Sequence, residues 1–365
     1  MGFEPIRVLH LVHAFAMGGM ENGIVNLANG LEALGIETHV CALSSAGAFR
    51  QRLPASCQMI ELGKTGGFSL RLPILLRQQV RRIRPAVIHS HNWTGLIYAI
   101  SAGLPQLAAL LHGEHAELYG WERQLRRLWL RRLCYRFCKR VHTVSQGQLD
   151  ELKMLKLAPP NALAIPNGVD TNRFKPSDPA LLGLPDNAIV LGMVSRFIPE
   201  KQHARLLNAF AQLDMPNLHL LLIGDGGNIK QTVLELAKEH PFHERIHWLG
   251  ERNDMPAIYS AMSLLVLPSE AEGMSNACLE AAACGVPTLA NACCGVAELI
   301  ADGVTGLIRP MKDAATIASA LVEAFHDLPN LRRLGTAAAL HVQKNFSLSL
   351  MIQRYAGLYR ELASL

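Results

Sequence analysis

The sequence predicts an α/β protein built as two consecutive domains, each a parallel sheet covered by helices. Three observations carry this. Short β-branched apolar runs alternate with longer amphipathic helical patterns along the chain. The alternation stops at a turn-forming stretch near the middle and then starts again. The 365 residues, at roughly 150 per domain, make two domains.

In order, residues 6–12 read as a buried strand, followed by Gly18-Gly19 and a helix over 21–34. Further strands are expected over 38–43, 58–61, 86–89, 107–111 and 141–144, with helices over 70–83 and 122–140. Ala164-Ile165-Pro166-Asn167-Gly168-Val169-Asp170, followed by Pro176, Pro179 and Pro185, marks the boundary. The first domain is therefore 1–168 and the second 169–346. Strands at 189–194, 218–223, 246–249, 264–267, 288–290 and 306–308 build the second, with a helix over 202–213. Met351, Tyr355, Leu358, Tyr359 and Leu362 share one face of a closing helix over 347–365, which we expect to pack on the first domain.

Composition narrows the class. Half of the residues are hydrophobic and 18% charged, which excludes a disordered or fibrous chain. No apolar run reaches the roughly 18 residues a membrane span needs; Ser101, Gly103, Pro105 and Gln106 break the nearest candidate. Glu4 and Arg7 flank a short apolar run that leads to Gly18-Gly19, not to a leader-peptide cleavage site. A cytoplasmic protein is expected, at most peripheral on the inner face of the plasma membrane. Cys41, Cys57, Cys134, Cys138, Cys278, Cys284, Cys293 and Cys294 form no CxxC pair and read as structural thiols. The net charge of +5 conceals +9 in residues 1–168 against −4 in the rest, so the first domain suits an anionic partner.

Open parallel sheets bind ligands at the carboxyl ends of their strands, which makes a cleft between the domains the expected site. The most informative segment follows the strand at 264–267. It contains Glu272-Gly273-Met274-Ser275-Asn276, where a helix begins, and then Glu280. A helix start offers free N–H groups to an anion. A carboxylate beside it is costly unless it grips something neutral, such as sugar hydroxyls. Read without context, the two glutamates serve equally as a helix N-terminal charge and a solvated side chain. Arg196 and Lys201 lie five positions apart after the strand at 189–194, a spacing that clamps a diphosphate or merely decorates a surface. Gly19 and Gly224 follow strands without completing the dinucleotide fingerprint, so nicotinamide is not expected. His89-Ser90-His91 and His112-Gly113-Glu114-His115 stand at strand ends and suit substrate contact better than metal ligation. The chain has no Asp-x-Asp pair, so Arg196, Lys201 and a helix start must balance any diphosphate.

Taken together, Gly18-Gly19 after the first strand, Arg196-x4-Lys201, Pro166-Asn167-Gly168-Val169-Asp170 and Ser269-x-x-Glu272-Gly273…Glu280-Ala281-x3-Gly285-x-Pro287 resemble the family 4 retaining glycosyltransferases. Met17-Gly18-Gly19-Met20-Glu21-Asn22-Gly23 and the two histidine motifs resemble, less specifically, exopolysaccharide-associated sugar transferases. Met274 departs from the usual aromatic, Ser275-Asn276 from a Gly- or Pro-containing pair, and Gln202 from glycine. The resemblance implies a GT-B fold, two Rossmann-like domains facing across a cleft, closing on the substrates. It implies a hexose moved from a UDP- or GDP-sugar to a glycan or lipid-linked glycan in cell-surface polysaccharide synthesis. No cofactor and no metal are expected.

The resemblance also assigns roles. Arg196 and Lys201 would neutralise the diphosphate, with the amides of Gly273, Met274, Ser275 and Asn276. Glu280 would hold the ribose, and Glu272 and His112 the donor sugar. Gly19 and Gly224 would let the backbone approach the donor. On the acceptor side, residues 122–140 carry eight cations and one acid among Leu125, Leu128, Trp129, Leu133 and Phe137. Arg126, Arg127 and Arg131 are expected to meet an anionic membrane, with His91 and Glu114 on the acceptor. An ordinary helix with solvated arginines fits the same pattern. No nucleic-acid-binding module accompanies the charge. The rival functions are an epimerase-like or phosphorylase enzyme and a non-catalytic sugar-nucleotide-binding protein at a membrane surface.

Overall fold

The computed structural model describes residues 5–16, 18–118, 120–293 and 295–365. Glu4, Met17 and Cys294, named above, lie outside these. The chain divides into two units, one of Met1–Gly168 with Leu348–Leu365 and one of Val169–Ser347.

In the first unit the chain runs β1 (Ile6–Val12), α1 (Gly19–Glu32), β2 (Ile36–Ala42), β3 (Met59–Glu61), α2 (Arg71–Ile83), β4 (Val87–His91), α3 (Asn92–Ser101), β5 (Ala109–Glu114), α4 (Leu125–Tyr135), β6 (Arg140–Thr143), α5 (Gln146–Met154) and β7 (Leu163–Ala164). The strands form one parallel sheet in the order β3-β2-β1-β4-β5-β6-β7. Side chains alternate between its faces. Leu9, Leu11, Ile88, Leu110 and Val141 meet α2, α3, α4 and α5 on one side.

The second unit follows with β8 (Ile189–Val194), α6 (His203–Phe210), β9 (Leu218–Ile223), α7 (Lys230–Lys238), β10 (Ile246–Gly250), α8 (Met255–Ser260), β11 (Leu264–Leu267), α9 (Asn276–Ala283), β12 (Thr288–Ala290), α10 (Val296–Leu299), β13 (Gly306–Ile308), α11 (Ala314–Phe325) and α12 (Leu328–Asn345). Its parallel sheet has the order β10-β9-β8-β11-β12-β13. LHLLLI in β9 is buried at every position, as a strand covered on both faces requires. Asp313 and Thr316 close a reciprocal capping box on α11.

The chain then returns to the first unit as α13 (Leu348–Ala363). Met351, Tyr355, Leu358, Tyr359 and Leu362 pack with Val8, Val87, Leu111 and the Leu27 and Leu31 side chains of α1. This covers the second face of the first sheet.

Two expectations need correction. Residues 122–140 are not one helix: a short 3-10 turn (Gly120–Arg123) and α4 are separated by Gln124 in an extended conformation. The strands expected to end at 89 and 111 run on through the histidine motifs, β4 to His91 and β5 to Glu114, with His115 just beyond. Their side chains are buried and hydrogen-bonded within the unit, which carries the ladder further than apolar patterning suggests.

Candidate active site

In the second sheet the chain builds β8, β9 and β10 toward one edge and then crosses back to place β11 on the other side of β8. Loops leaving the carboxyl ends of such neighbouring strands frame a crevice, the usual ligand position of a doubly wound sheet. The loops after β8 and β11 hold the segments singled out above.

After β8, Phe197 N–H donates to Gly226 O at 2.9 Å, tying this loop to the one after β9. Gly224 permits that approach: its φ is +128°, and a Cβ there would stand 2.2 Å from the Ser195 carbonyl oxygen. Close backbone packing thus accounts for Gly224. His203 opens α6 by stacking on Phe197, ring centroids 4.6 Å apart, with Nε2 3.1 Å from Ser195 Oγ. Burial, then the Lys201 charge, lowers the His203 pKa to about 4, so the ring is neutral near pH 7. Gln202, between Lys201 and His203, adopts φ +61°, the left-handed region that glycine enters most cheaply. The exposed Arg196 guanidinium has no ion pair among the described residues.

After β11, the chain turns and α9 begins at Asn276. Ser275 is its N-cap, its Oγ accepting from Cys278 N–H at 3.3 Å. Glu272, 8% exposed, accepts at Oε1 from Ser269 Oγ at 2.9 Å and from Lys201 Nζ at 2.5 Å. The two loops are therefore joined by an ion pair. The expected cost of a carboxylate beside an anion site is offset, because a cation from the neighbouring loop sits on it. Glu280, one turn into α9, accepts from the buried Tyr259 hydroxyl at 2.9 Å. Ser269, Tyr259 and Asn291, whose Nδ2 donates to Ser269 O at 3.1 Å, support the site but escaped sequence reasoning. Ser269 alone carried a signal, as a member of the motif.

In the first unit, alternation along β4 and β5 places Ser90, His112 and Glu114 on the α4 face. Ser90 Oγ lies 3.0 Å from His112 Nδ1, and His112 Nε2 lies 3.3 Å from Glu114 Oε1. A carboxylate only accepts, so Nε2 donates to Glu114, while Ser90 Oγ, which also reaches Leu111 O at 3.3 Å, sits on Nδ1. Tyr135 donates to Glu114 at 2.5 Å, and Arg131 bonds both Glu114 and Glu122. Burial pushes the Glu114 carboxyl up, but bonds from His112, Arg131 and Tyr135 outweigh it and hold the pKa at about 2.

Arg131 therefore does not belong with the surface cations of α4. It is 3% exposed, because it shares a helix face with Cys134 and Tyr135. Glu114 and His91 are likewise buried within the first unit. Arg126 and Arg127 are exposed, beside Leu125 (84% exposed) and Trp129 (65%). Gly19 is the first residue of α1.

The fold and these loops define a class, the GT-B glycosyltransferases. Whole-chain similarity is found to sucrose-phosphate synthase from Thermosynechococcus elongatus (TM-score 0.85, 22% identity, 99% of each chain). It extends to HepE of Anabaena in complex with UDP and glucose (TM-score 0.84, 21% identity, 98% of this chain and 100% of that one). The family is narrower. Residues 17–173 match the model of Glycosyltransferase Family 4 and 174–341 that of Glycosyl transferases group 1, and the chain belongs to the family 4 glycosyltransferases. Among curated relatives, the UDP-Gal:alpha-D-GlcNAc-diphosphoundecaprenol alpha-1,3-galactosyltransferase of Escherichia coli is 26% identical over 75% of this chain and 74% of its own length. A D-inositol 3-phosphate glycosyltransferase of Kribbella flavida is 27% identical over 94% and 90%. No helix of the described residues is long and apolar enough to cross a membrane.

Proposed function

We propose that this glycosyltransferase moves a hexose from a UDP- or GDP-sugar to a glycan or lipid-linked glycan, with retention at the anomeric carbon and without a metal ion, in cell-surface polysaccharide synthesis. The observation that carries the reading is the Lys201–Glu272 pair, which joins the two loops flanking the β8/β11 switch point.

Lys201 and Arg196 stabilise the charge that grows on the departing diphosphate, aided by the amides over 273–277. Preorganised cations of this kind supply the largest share of a transfer rate. Glu272 accepts from donor-sugar hydroxyls. Glu280, held by Tyr259, accepts from ribose hydroxyls. The departing phosphate takes the acceptor hydroxyl's proton on the face it leaves, so the new bond forms on that same face and configuration is kept. From the first unit, Gly19 is assigned to the substrates, and His112, buried with Nε2 on Glu114, must give up that bond to reach the donor sugar. Two relatives support donor and acceptor class by their names: one uses UDP-galactose on a diphosphoundecaprenol-linked sugar, and another, from Corynebacterium glutamicum, is a GDP-mannose-dependent mannosyltransferase acting on a phosphatidylinositol monomannoside.

A lipid-linked acceptor calls for a protein held at a membrane surface. Arg126, Arg127 and Arg132, exposed beside Leu125 and Trp129, with Arg136 and Phe137 just past its end, give α4 the composition of an interfacial helix. The deciding experiment incubates the protein with labelled UDP- and GDP-hexoses and lipid-linked acceptors. Label appearing in the glycan supports the reading. Epimerised free nucleotide sugar, or binding without turnover, points to one of the rivals.

A further inference from the structure

The α13 face of the first sheet carries a second, unrelated group of titratable side chains. His10 of β1 pairs in register with His89 of β4, and His91 lies two residues further on the same face. All three are buried, at 0%, 0% and 2% exposure. Each offers one ring nitrogen, and these three nitrogens lie within 4.8 Å of one another. Gly113 of β5 leaves the room: a Cβ there would stand 2.5 Å from His142 Nε2 and 2.9 Å from His115 Nε2.

Hydrogen bonding among the rings does not close. His10 Nδ1 contacts His91 Nε2 at 2.9 Å, and His91 Nδ1 contacts His115 Nε2 at 2.8 Å. His89 bonds His142 Nε2 at 2.7 Å and the Tyr359 hydroxyl at 2.8 Å. Each neutral imidazole has one donor and one acceptor. Whichever way the protons run, His10 Nε2 has no partner among the described residues. Apolar side chains would fill this interior with no stranded nitrogen. Neutral ring nitrogens around one point suit zinc-class transition metals and not magnesium or calcium.

We propose that His10, His89 and His91 bind one divalent transition-metal ion that staples β1 to β4 under α13. The three nitrogens, within 4.8 Å of one another, draw in to the about 3.3 Å between ligands of a tetrahedral site when the ion binds. The fourth position of such an ion falls to a water molecule. The Tyr359 hydroxyl, on His89 Nδ1, orients that ring. The ion is structural, stands on first-unit residues alone, and is independent of the proposed transfer.

The test uses the untagged full chain, stripped with a strong chelator and titrated with Co2+ alone. One equivalent should bind with the intense visible bands of tetrahedral cobalt, displaced by Zn2+, and raise Tm. His10→Ala should weaken binding at least 100-fold, whereas His326→Ala, at an exposed histidine, should not. Tyr359→Phe, which keeps the ring, should weaken it roughly 10-fold. Absence of stoichiometric binding, a weak octahedral spectrum, or an unchanged titration in folded His10→Ala overturns the proposal. The wild-type spectrum decides the matter even if His10→Ala does not fold.

Discussion

Lys201 Nζ donates to Glu272 Oε1 at 2.5 Å, so the cation assigned to the diphosphate and the carboxylate assigned to the sugar hold one another before substrate arrives. Each keeps the other's charge compensated in a half-desolvated place, and donor binding has to divide the pair between phosphate and hydroxyls. Lys201→Ala and Glu272→Ala should each lower kcat about 100- to 1,000-fold with circular dichroism unchanged. The double variant should lose much less than the product of the two, because the residues act as a unit. Initial rates of sugar transfer read both effects.

Rates with added Mg2+ or Mn2+, and after brief EDTA treatment, should agree, since Arg196 and Lys201 supply the charge. A strong dependence on either ion would remove the cation clamp from the proposed chemistry.

Gln202 occupies a left-handed conformation, φ +61°, between Lys201 and α6. A side chain there costs roughly 1–2 kcal/mol, part of which glycine returns as chain entropy. Gln202→Gly should therefore raise stability by about 0.5–1 kcal/mol, read as a higher urea midpoint at unchanged slope.

Arg131 and its neighbours on α4 should separate cleanly. Arg131→Ala strands the buried Glu114 carboxylate and should cost roughly 3–5 kcal/mol. Arg126→Ala and Arg127→Ala, at exposed positions, should change stability by less than about 0.5 kcal/mol. Flotation with anionic liposomes at low salt should show the opposite ranking, the two surface arginines mattering most.

Glu114 also sets an acid dependence. Its folded pKa of about 2 lies below the ordinary glutamate value of about 4.3, so between these the unfolded chain binds more protons. Its contribution is complete above about pH 4.3 and is lost as pH falls toward 2. Wild type should exceed Glu114→Gln in stability at pH 7, and the gap should shrink through that window in denaturant melts.

Sequence patterning was most informative where burial is simple. Ile189–Val194, Leu218–Ile223 and Leu264–Leu267 are continuous apolar runs ended by turn residues, and the strands have those bounds. Patterning fails where polar residues are inside: His91, His112 and Glu114 look like loop residues until their partners are known. Those partners lie far along the chain, as His10 does from His91. Arg131 is the instructive miss. Eight cations crowd residues 122–140, and within α4 both Arg127 and Arg131 share the phase of Cys134 and Tyr135, yet only Arg131 is buried, so spacing narrows the choice without making it. In the candidate site, Glu272, Lys201 and Arg196 stood out by motif, whereas Tyr259 and Asn291 act through folded proximity alone.

The return of α13 to the first sheet has a consequence for synthesis on the ribosome. Val169–Ser347 is an uninterrupted segment and can complete its core as soon as it emerges. The earlier-made sheet cannot: Val8, Val87 and Leu111 wait for Met351, Tyr359 and Leu362, so the part translated first is finished last. During that interval it presents an uncovered apolar face, and this is when the nascent chain most needs a chaperone.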